Sequence, residues 1–409
     1  MGNELRVWAM CTSILTITLY HSSTHYSMKE QHVKKVFAQK YNSPFRFFAA
    51  PGRINLIGEH TDYNEGFVMP AAIDKRIYLA IAPRETTEVE LFSIDFDETV
   101  AFDIHQTTDR LPHWAKYPYG VVKEILAAGH AVKGFKAVFG GDIPTGAGLS
   151  SSAALESAFA TALNTVFNLS INKLTLASIG QLAEHNYAGV RCGIMDQFAS
   201  IHGKENNVIQ LDCRSLAFEH FPLELHEHEL LLADTRVKHS LASSAYNQRR
   251  EECEEGVRIL SKLQPGIKNL RDVNPEDVRK HKSLMSKEVF MRCEYVAEEN
   301  ERVKATARAL AKGEIDKVGQ LLYASHQGLK NKYQVSCREL DLLVDTALKT
   351  QGVLGARMMG GGFGGCTLNI VETSSMEKVI KIMTESFQAE LGSEPAFYRV
   401  NISGGATEM

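Results

Sequence analysis

Three glycine-punctuated polar segments carry the residue types that could do chemistry. In the first, GGDIPTGAGLSSSAALESAF over 140–159, a glycine-containing loop runs directly into a stretch of helical periodicity. Gly146 and Gly148 let backbone N–H groups approach a ligand closely, with Ala147 and Leu149 between them, and Ser150, Ser151 and Ser152 add hydroxyl donors. The start of a helix offers unsatisfied amides and positive dipole potential, which suits a phosphate. Dipole attraction alone is worth about 0.3–1 kcal/mol per charge at an exposed site, so several contacts have to act together. Serines that merely cap a helix would look the same, and this segment alone leaves both readings open. A Walker A loop is excluded, because Gly203-Lys204 is the one Gly-Lys pair and Glu205 follows it where Ser or Thr is required.

The second segment, APGRINLIGEHTDYNEGFVMPAAI over 50–73, ends an apolar strand-like run in the cluster Glu59, His60, Asp62, Tyr63 and Asn64. A polyhydroxylated ligand exchanges hydrogen bonds with water for directional protein bonds, and a carboxylate can accept from two adjacent hydroxyls. An ordinary polar turn would contain the same residues, and no further His or Cys stands at ligand spacing for a metal. The third segment, GARMMGGGFGGCTLNIV over 355–371, contains a G-x-G-x-x-G match at Gly360, Gly362 and Gly365. A dinucleotide site needs that match between a strand and a helix, whereas here it precedes a strand-like run. Tight packing against the phosphate loop or a simple hairpin turn would each explain the glycines.

The chain that positions these segments has 409 residues, 44% hydrophobic and 23% charged, which is an ordinary globular composition long enough for two domains with a cleft between them. A net charge of −4 excludes a basic nucleic-acid face as the organising feature. Seven scattered cysteines without a C-x-x-C pair read as reduced thiols in a cytoplasmic protein. The apolar run Val7 to Tyr20 lacks the flanks of a signal peptide and is too short for a comfortable membrane span. Residues 1–27 are therefore expected to be an extension outside the fold, which begins near Met28.

The elements expected are those of a mixed α/β molecule. Strands are predicted over 76–84 and 87–95, and a helix over 152–167 with Leu155, Ala158, Phe159, Ala162, Leu163 and Val166 on one face. Further helices are predicted near 245–264, 293–312 and 376–391, alternating with late strands at CTLNIVE and around Tyr398, Val400 and Ile402. A boundary within 215–228 divides the chain into 28–220 and 221–409.

Taken together, the three segments in this order, with CGIMDQF near 193 and YNQRRE at 246–251, resemble the GHMP kinase superfamily, and GRINLIGEHTDYNEG is similar to the signature of its galactokinase family. The resemblance runs from about residue 29 to the C-terminus. It implies an N-terminal domain like domain 2 of ribosomal protein S5 and a ferredoxin-like C-terminal domain. The implied reaction is phosphorylation of the anomeric hydroxyl of α-D-galactose by ATP with Mg2+, carried out by a monomer with no nucleic-acid or membrane partner. Residue by residue, it implies sugar contacts from Glu59, His60, Thr61, Asp62 and Tyr246, and a phosphate loop over Gly146 to Ser152. It also makes Ser152 and Glu184 the magnesium partners, Asp196 the catalytic base and Arg53 its cationic neighbour. Ser93 and Trp114 fall where relatives contact or border the nucleotide, and Cys192 reads as a small packed residue.

This constellation matches what phosphoryl transfer asks of a protein, namely in-line placement and neutralisation of developing charge. Three other readings compete: a kinase for a related sugar such as N-acetylgalactosamine, a non-catalytic galactose and ATP sensor, and a nicotinamide dehydrogenase using the late glycines. The intact GLSSSAA loop and the presence of Asp196 weigh against a sensor.

Overall fold

Alternation along the early strands sends side chains to two opposite helical layers. The computed structural model describes residues 28–144, 146–238 and 242–409, so the expected extension at 1–27 lies outside the described residues. Strands Thr407–Glu408, Arg46–Asn55, Pro70–Pro83, Phe135–Gly141, Glu88–Ser93 and Glu98–Asp103 lie side by side in that order. Phe47, Ala49, Tyr78, Ala80 and Val138 point to one face, where Val33 and Phe37 of helix Met28–Tyr41 cover them. Phe48, Ala50, Leu79, Ile81 and Ala137 point to the other, into the main core beneath helices Lys116–Ala127, Ser151–Val166 and Lys173–Ala183. Burial on both faces explains the apolar runs at 70–73 and 77–83 of Pro70–Pro83, which the partly buried Asp74, Lys75 and Arg76 interrupt.

A second sheet is antiparallel throughout, in the order Val353–Met358, Gly364–Glu372, His228–Lys238, Ala396–Val400. Helices Arg338–Lys349 and Met376–Leu391 close one side of it around Leu343, Val379, Met383 and Phe387. Helices Ala242–Leu263 and Lys287–Leu310 build a further core around Cys253, Leu260, Cys293 and Val296. Among the described residues, no helix is long and apolar enough to cross a membrane.

Two connections bear on the site. Glu408 and Thr407 pair with Phe48 and Ala49, and Ile402 bridges Ile73, so the last residues return to the first sheet instead of staying with 221–409. The register also shifts between Pro51 and Arg53. At that irregularity Gly52 is required, since a Cβ there would lie 2.7 Å from the Leu149 carbonyl oxygen, and the Arg53 amide donates to the same oxygen at 3.1 Å. The bulge thus ties the central strand to the glycine loop.

Candidate active site

The loop leading into Ser151–Val166 alternates exposed and buried positions: Gly146 and Gly148 face solvent, while Ala147 and Leu149 are buried anchors in the main core. Gly146, Gly148 and Ser150 all take positive φ. Ser150 precedes the helix without a side-chain cap, because its hydroxyl donates to Asp196 Oδ2 instead. The first helix amides therefore lack a side-chain partner, which favours the anion-binding reading of this segment over simple capping.

Asp196 lies in the first turn of helix Met195–His202. The Arg53 guanidinium grips it with two hydrogen bonds, Nε to Oδ1 at 2.8 Å and Nη2 to Oδ2 at 3.1 Å, and its Nη1 donates to the Gly148 carbonyl at 2.6 Å. Burial opposes the charge on Arg53, but the Asp196, Glu59 and Asp62 carboxylates outweigh it and hold the guanidinium protonated. One arginine thus joins a half-exposed carboxylate to the glycine loop.

On the other side of this pair is a cavity of about 610 Å3, lined by Arg53, Glu59, Asp62, Glu184, Asp196 and Tyr246 among others. Glu59 is buried and uses Oε1 to accept from Arg357 Nη2 at 2.9 Å and from the Gly360 amide at 2.8 Å. Asp62 opens the short turn Asp62–Asn64, and burial first, then the Asp196 charge, pushes its carboxyl up to about 7. Gly193 is packed against it so closely that a Cβ there would fall 1.9 Å from Asp62 Oδ2. The Tyr246 ring lies 5.4 Å from the rings of both His60 and Tyr63.

Glu184 starts the π-helical turn Glu184–Ala188, with Oε1 3.4 Å from the Ser152 hydroxyl. Burial first, then Asp196, raises its carboxyl to about 7. Among the described residues no group of three or more His, Cys, Asp or Glu side chains could cage a metal alone. A carboxylate and a hydroxyl side by side are instead a donor set suited to a hard cation that completes its shell with oxygen atoms of a ligand and water.

The geometry brings most of the anticipated residues together and separates a few. Thr61 is wholly buried and is not on the cavity wall; its hydroxyl hydrogen is shared between the carbonyls of Gly58 at 2.8 Å and Phe67 at 2.6 Å, so the hydroxyl holds the turn. His60 lines the cavity, but Nε2 donates to the Gly361 carbonyl at 3.2 Å and Nδ1 accepts from the Tyr63 hydroxyl at 2.8 Å. Burial lowers its pKa to about 3, so it is neutral with both nitrogens engaged. Ser93 is fully buried at a strand end, and Trp114 donates to Glu98 at 2.7 Å, both away from the cavity lining. Burial pushes the Cys192 thiol far up, as suits a packed residue and not a nucleophile.

The late glycines answer both earlier alternatives. Residues 359–363 turn the hairpin between Val353–Met358 and Gly364–Glu372, and the same turn lies against the glycine loop of Gly146 to Ser152. A Cβ on Gly360 would be 3.7 Å from the Gly148 oxygen, and one on Gly365 would be 3.9 Å from the Ala147 oxygen. The cavity is also lined by Gly189, Val190, Arg191 and Glu254, which lie outside every segment singled out in the sequence, and by Gly193, Asn247, Arg250 and Glu251, which lie inside CGIMDQF and YNQRRE but had no role assigned. Polar residues on an exposed helix face give no sign that a cavity opens beside them.

Comparison with known proteins matches the galactokinase galactose-binding signature to residues 35–83, the N-terminal domain of GHMP kinases to 116–204 and their C-terminal domain to 306–389. A galactokinase of Thermosipho africanus is 43% identical over 360 residues, covering 88% of this chain and 99% of the relative. A galactokinase of Fusobacterium nucleatum is 39% identical over 381 residues, covering 92% and 97%. Among solved structures, Lactococcus lactis galactokinase complexed with galactose superposes with a TM-score of 0.89 at 35% identity, covering 93% of this chain and 99% of that one. Methanococcus jannaschii mevalonate kinase shares the fold, with a TM-score of 0.63 at 17% identity over 88% of this chain and 99% of that one.

Proposed function

The chain belongs to the galactokinase family of the GHMP kinases, and from that premise we propose how its residues phosphorylate galactose. It is an ATP-dependent sugar kinase. In the reaction, the anomeric oxygen of α-D-galactose bonds to the terminal phosphorus of ATP, the bridging P–O bond breaks to release ADP, and the hydroxyl proton goes to the Asp196 carboxylate. The observation that carries this assignment is the fork of Arg53, which holds Asp196 at 2.8 and 3.1 Å while donating to Gly148 of the glycine loop at 2.6 Å. A base at the edge of the cavity is thereby fixed next to the proposed phosphate position, and orientation is the larger part of what such a reaction needs. Asp196 contributes about 10²–10⁴ in rate as a general base. Arg53, buried and charged, stabilises the charge developing on the transferred group.

In this reading Glu59, through the oxygen left free by Arg357 and Gly360, and Asp62 accept hydrogen bonds from sugar hydroxyls, and the Tyr246 ring closes over the sugar. His60 shapes the cradle through Tyr63 and Gly361. The amides and hydroxyls of Gly146 to Ser152 cradle the ATP phosphates. Magnesium would be held by Glu184 and Ser152 together with phosphate oxygens, and when bound it supplies neutralisation of phosphate charge. The protein is further proposed to work in the cytoplasm as a monomer with galactose and ATP as its partners. The free thiols of Cys192, Cys213, Cys253, Cys293, Cys337 and Cys366 support a reducing compartment.

The test is ADP release measured with galactose, with N-acetylgalactosamine and without sugar. Turnover that is fastest with galactose and near background without sugar is the expected result. Faster turnover with N-acetylgalactosamine would transfer the assignment to that sugar, and sugar-independent ADP release would overturn it.

A further inference from the structure

Behind the Glu184 carboxylate lies a polar cluster that the reaction described above does not use. Gln197 donates the two hydrogens of one amide nitrogen to two different carboxylates, Glu156 Oε2 at 2.8 Å and Glu184 Oε2 at 2.9 Å. Gln197 and Glu156 are both wholly buried, on helices Met195–His202 and Ser151–Val166. The third helix, Lys173–Ala183, makes room with a glycine: a Cβ on Gly180 would lie 3.0 Å from Gln197 Cγ and 3.4 Å from Glu156 Cβ. Three helices therefore converge on one amide.

An interior this tight could be filled with apolar side chains at no polar cost. Instead it holds a carboxylate and an amide whose second oxygens, Glu156 Oε1 and Gln197 Oε1, are buried without a partner. Buried polar groups left half-satisfied are costly, and they persist where they do something beyond packing. What this pair does follows from the way Glu184 is held. Its Oε2 is occupied by Gln197 and by the Cys192 thiol at 3.4 Å, so that Oε1 alone is turned toward Ser152 at the start of the phosphate-loop helix. Glu184 sits on a π-helical turn, a rare local geometry found frequently at functional sites.

We infer that Gln197, itself anchored by Glu156, is a positioning residue that fixes the rotamer of Glu184 and presents its Oε1 to the divalent cation of the nucleotide. The inference rests on the proposed reading of Glu184 as a magnesium partner. Outer hydrogen-bond partners of metal-ligating groups are typically worth about 10–100-fold in metal affinity.

The experiment is electron paramagnetic resonance titration of Mn2+ into the full-length protein with ADP, run beside calorimetric titration of galactose and steady-state kinetics in Mg2+. Gln197→Met is expected to weaken Mn2+ binding about 10–100-fold and to raise the Mg2+ concentration needed for half-maximal rate in parallel. Galactose affinity should stay within about twofold, which a general loss of structure would not allow. Glu156→Met reads the same link one residue further out, and Glu156→Gln, which keeps an acceptor for the Gln197 amide, should restore most of the affinity that Glu156→Met loses. Wild-type Mn2+ affinity in folded Gln197→Met, or in Glu156→Met should the first not fold, overturns the positioning role if Glu184→Gln loses Mn2+. Unchanged Mn2+ affinity in Glu184→Gln overturns the magnesium reading of Glu184 itself, and the positioning role with it.

Discussion

Galactose should bind more weakly as the pH is lowered through neutrality, and Asp62 is the reason. Burial, and then the Asp196 charge, lift its carboxyl from 3.8 to about 7. An acid whose folded pKa is raised holds a proton in the folded state that the unfolded chain has already lost. Asp62 thus favours the fold at low pH and weighs against it increasingly as the pH rises from 3.8 to about 7. Sugar hydroxyls that donate to the carboxylate favour its charged form, so binding pulls the group toward ionisation. If only the ionised form accepts from the sugar, a group titrating at about 7 is roughly nine-tenths protonated at pH 6. The apparent dissociation constant then rises about tenfold between pH 8.5 and pH 6, equivalent to about 1.4 kcal/mol. At pH 7 binding should release about half a proton. Isothermal titration calorimetry in buffers of different ionisation enthalpy reads that number directly. The release should vanish at pH 9 and in Asp62→Asn. A dissociation constant flat from pH 6 to 8.5, with a binding enthalpy independent of buffer, would refute the placement of Asp62 among the sugar contacts.

Three substitutions separate the roles assigned around the cavity. Gly193→Ala puts a Cβ where Asp62 Oδ2 now lies, at 1.9 Å, so galactose affinity should fall at least about tenfold while the melting temperature changes little; unaltered calorimetric affinity would contradict it. Thr61→Val removes a buried donor from the Gly58 and Phe67 carbonyls and should cost about 1–3 kcal/mol of stability in a denaturant titration, with the galactose KM nearly unchanged. Gly148→Ala meets nothing nearer than the Met359 oxygen at 3.8 Å but strains a residue at φ +73°, by about 1–2 kcal/mol. It should therefore raise the KM for ATP and leave galactose binding intact in a titration without nucleotide.

Local periodicity carried much of the fold. The apolar face around Leu155, Phe159 and Leu163 marks Ser151–Val166 to within a residue, and the late helix ends as anticipated at Leu391. The early strands are legible where side chains alternate or run apolar, as in Glu88–Ser93 and from Arg76 to Pro83, but the strand already begins at Pro70, beyond a charged break at Asp74, Lys75 and Arg76 that hides its first half. The return of Thr407–Glu408 to Phe48 and Ala49 was not, because a two-residue polar strand has no periodicity and its partner lies hundreds of positions away. In the candidate site, Asp196, Arg53, Glu59 and Asp62 are marked by motif, and the fold brings them to one cavity, with Arg53 bonded to both Asp196 and Gly148. The placement of Thr61 off the cavity wall is not legible in the sequence, because motif membership does not reveal which way a side chain turns, and here the turn at Gly58 engages its hydroxyl. Glu156 and Gln197 lie within two of the marked segments, yet nothing in the sequence singles them out there, since an acid and an amide on helices are ordinarily solvated.

In the proposed reaction Asp196 accepts the sugar's proton between the cradle and the glycine loop. Asp196→Asn keeps the size of the side chain and an acceptor for Arg53 but removes the base. Single-turnover formation of galactose 1-phosphate, measured together with galactose binding on the same preparation, should fall by about 10²–10⁴ with affinity altered only a few-fold. Phosphorylation at the wild-type rate in that variant would contradict it.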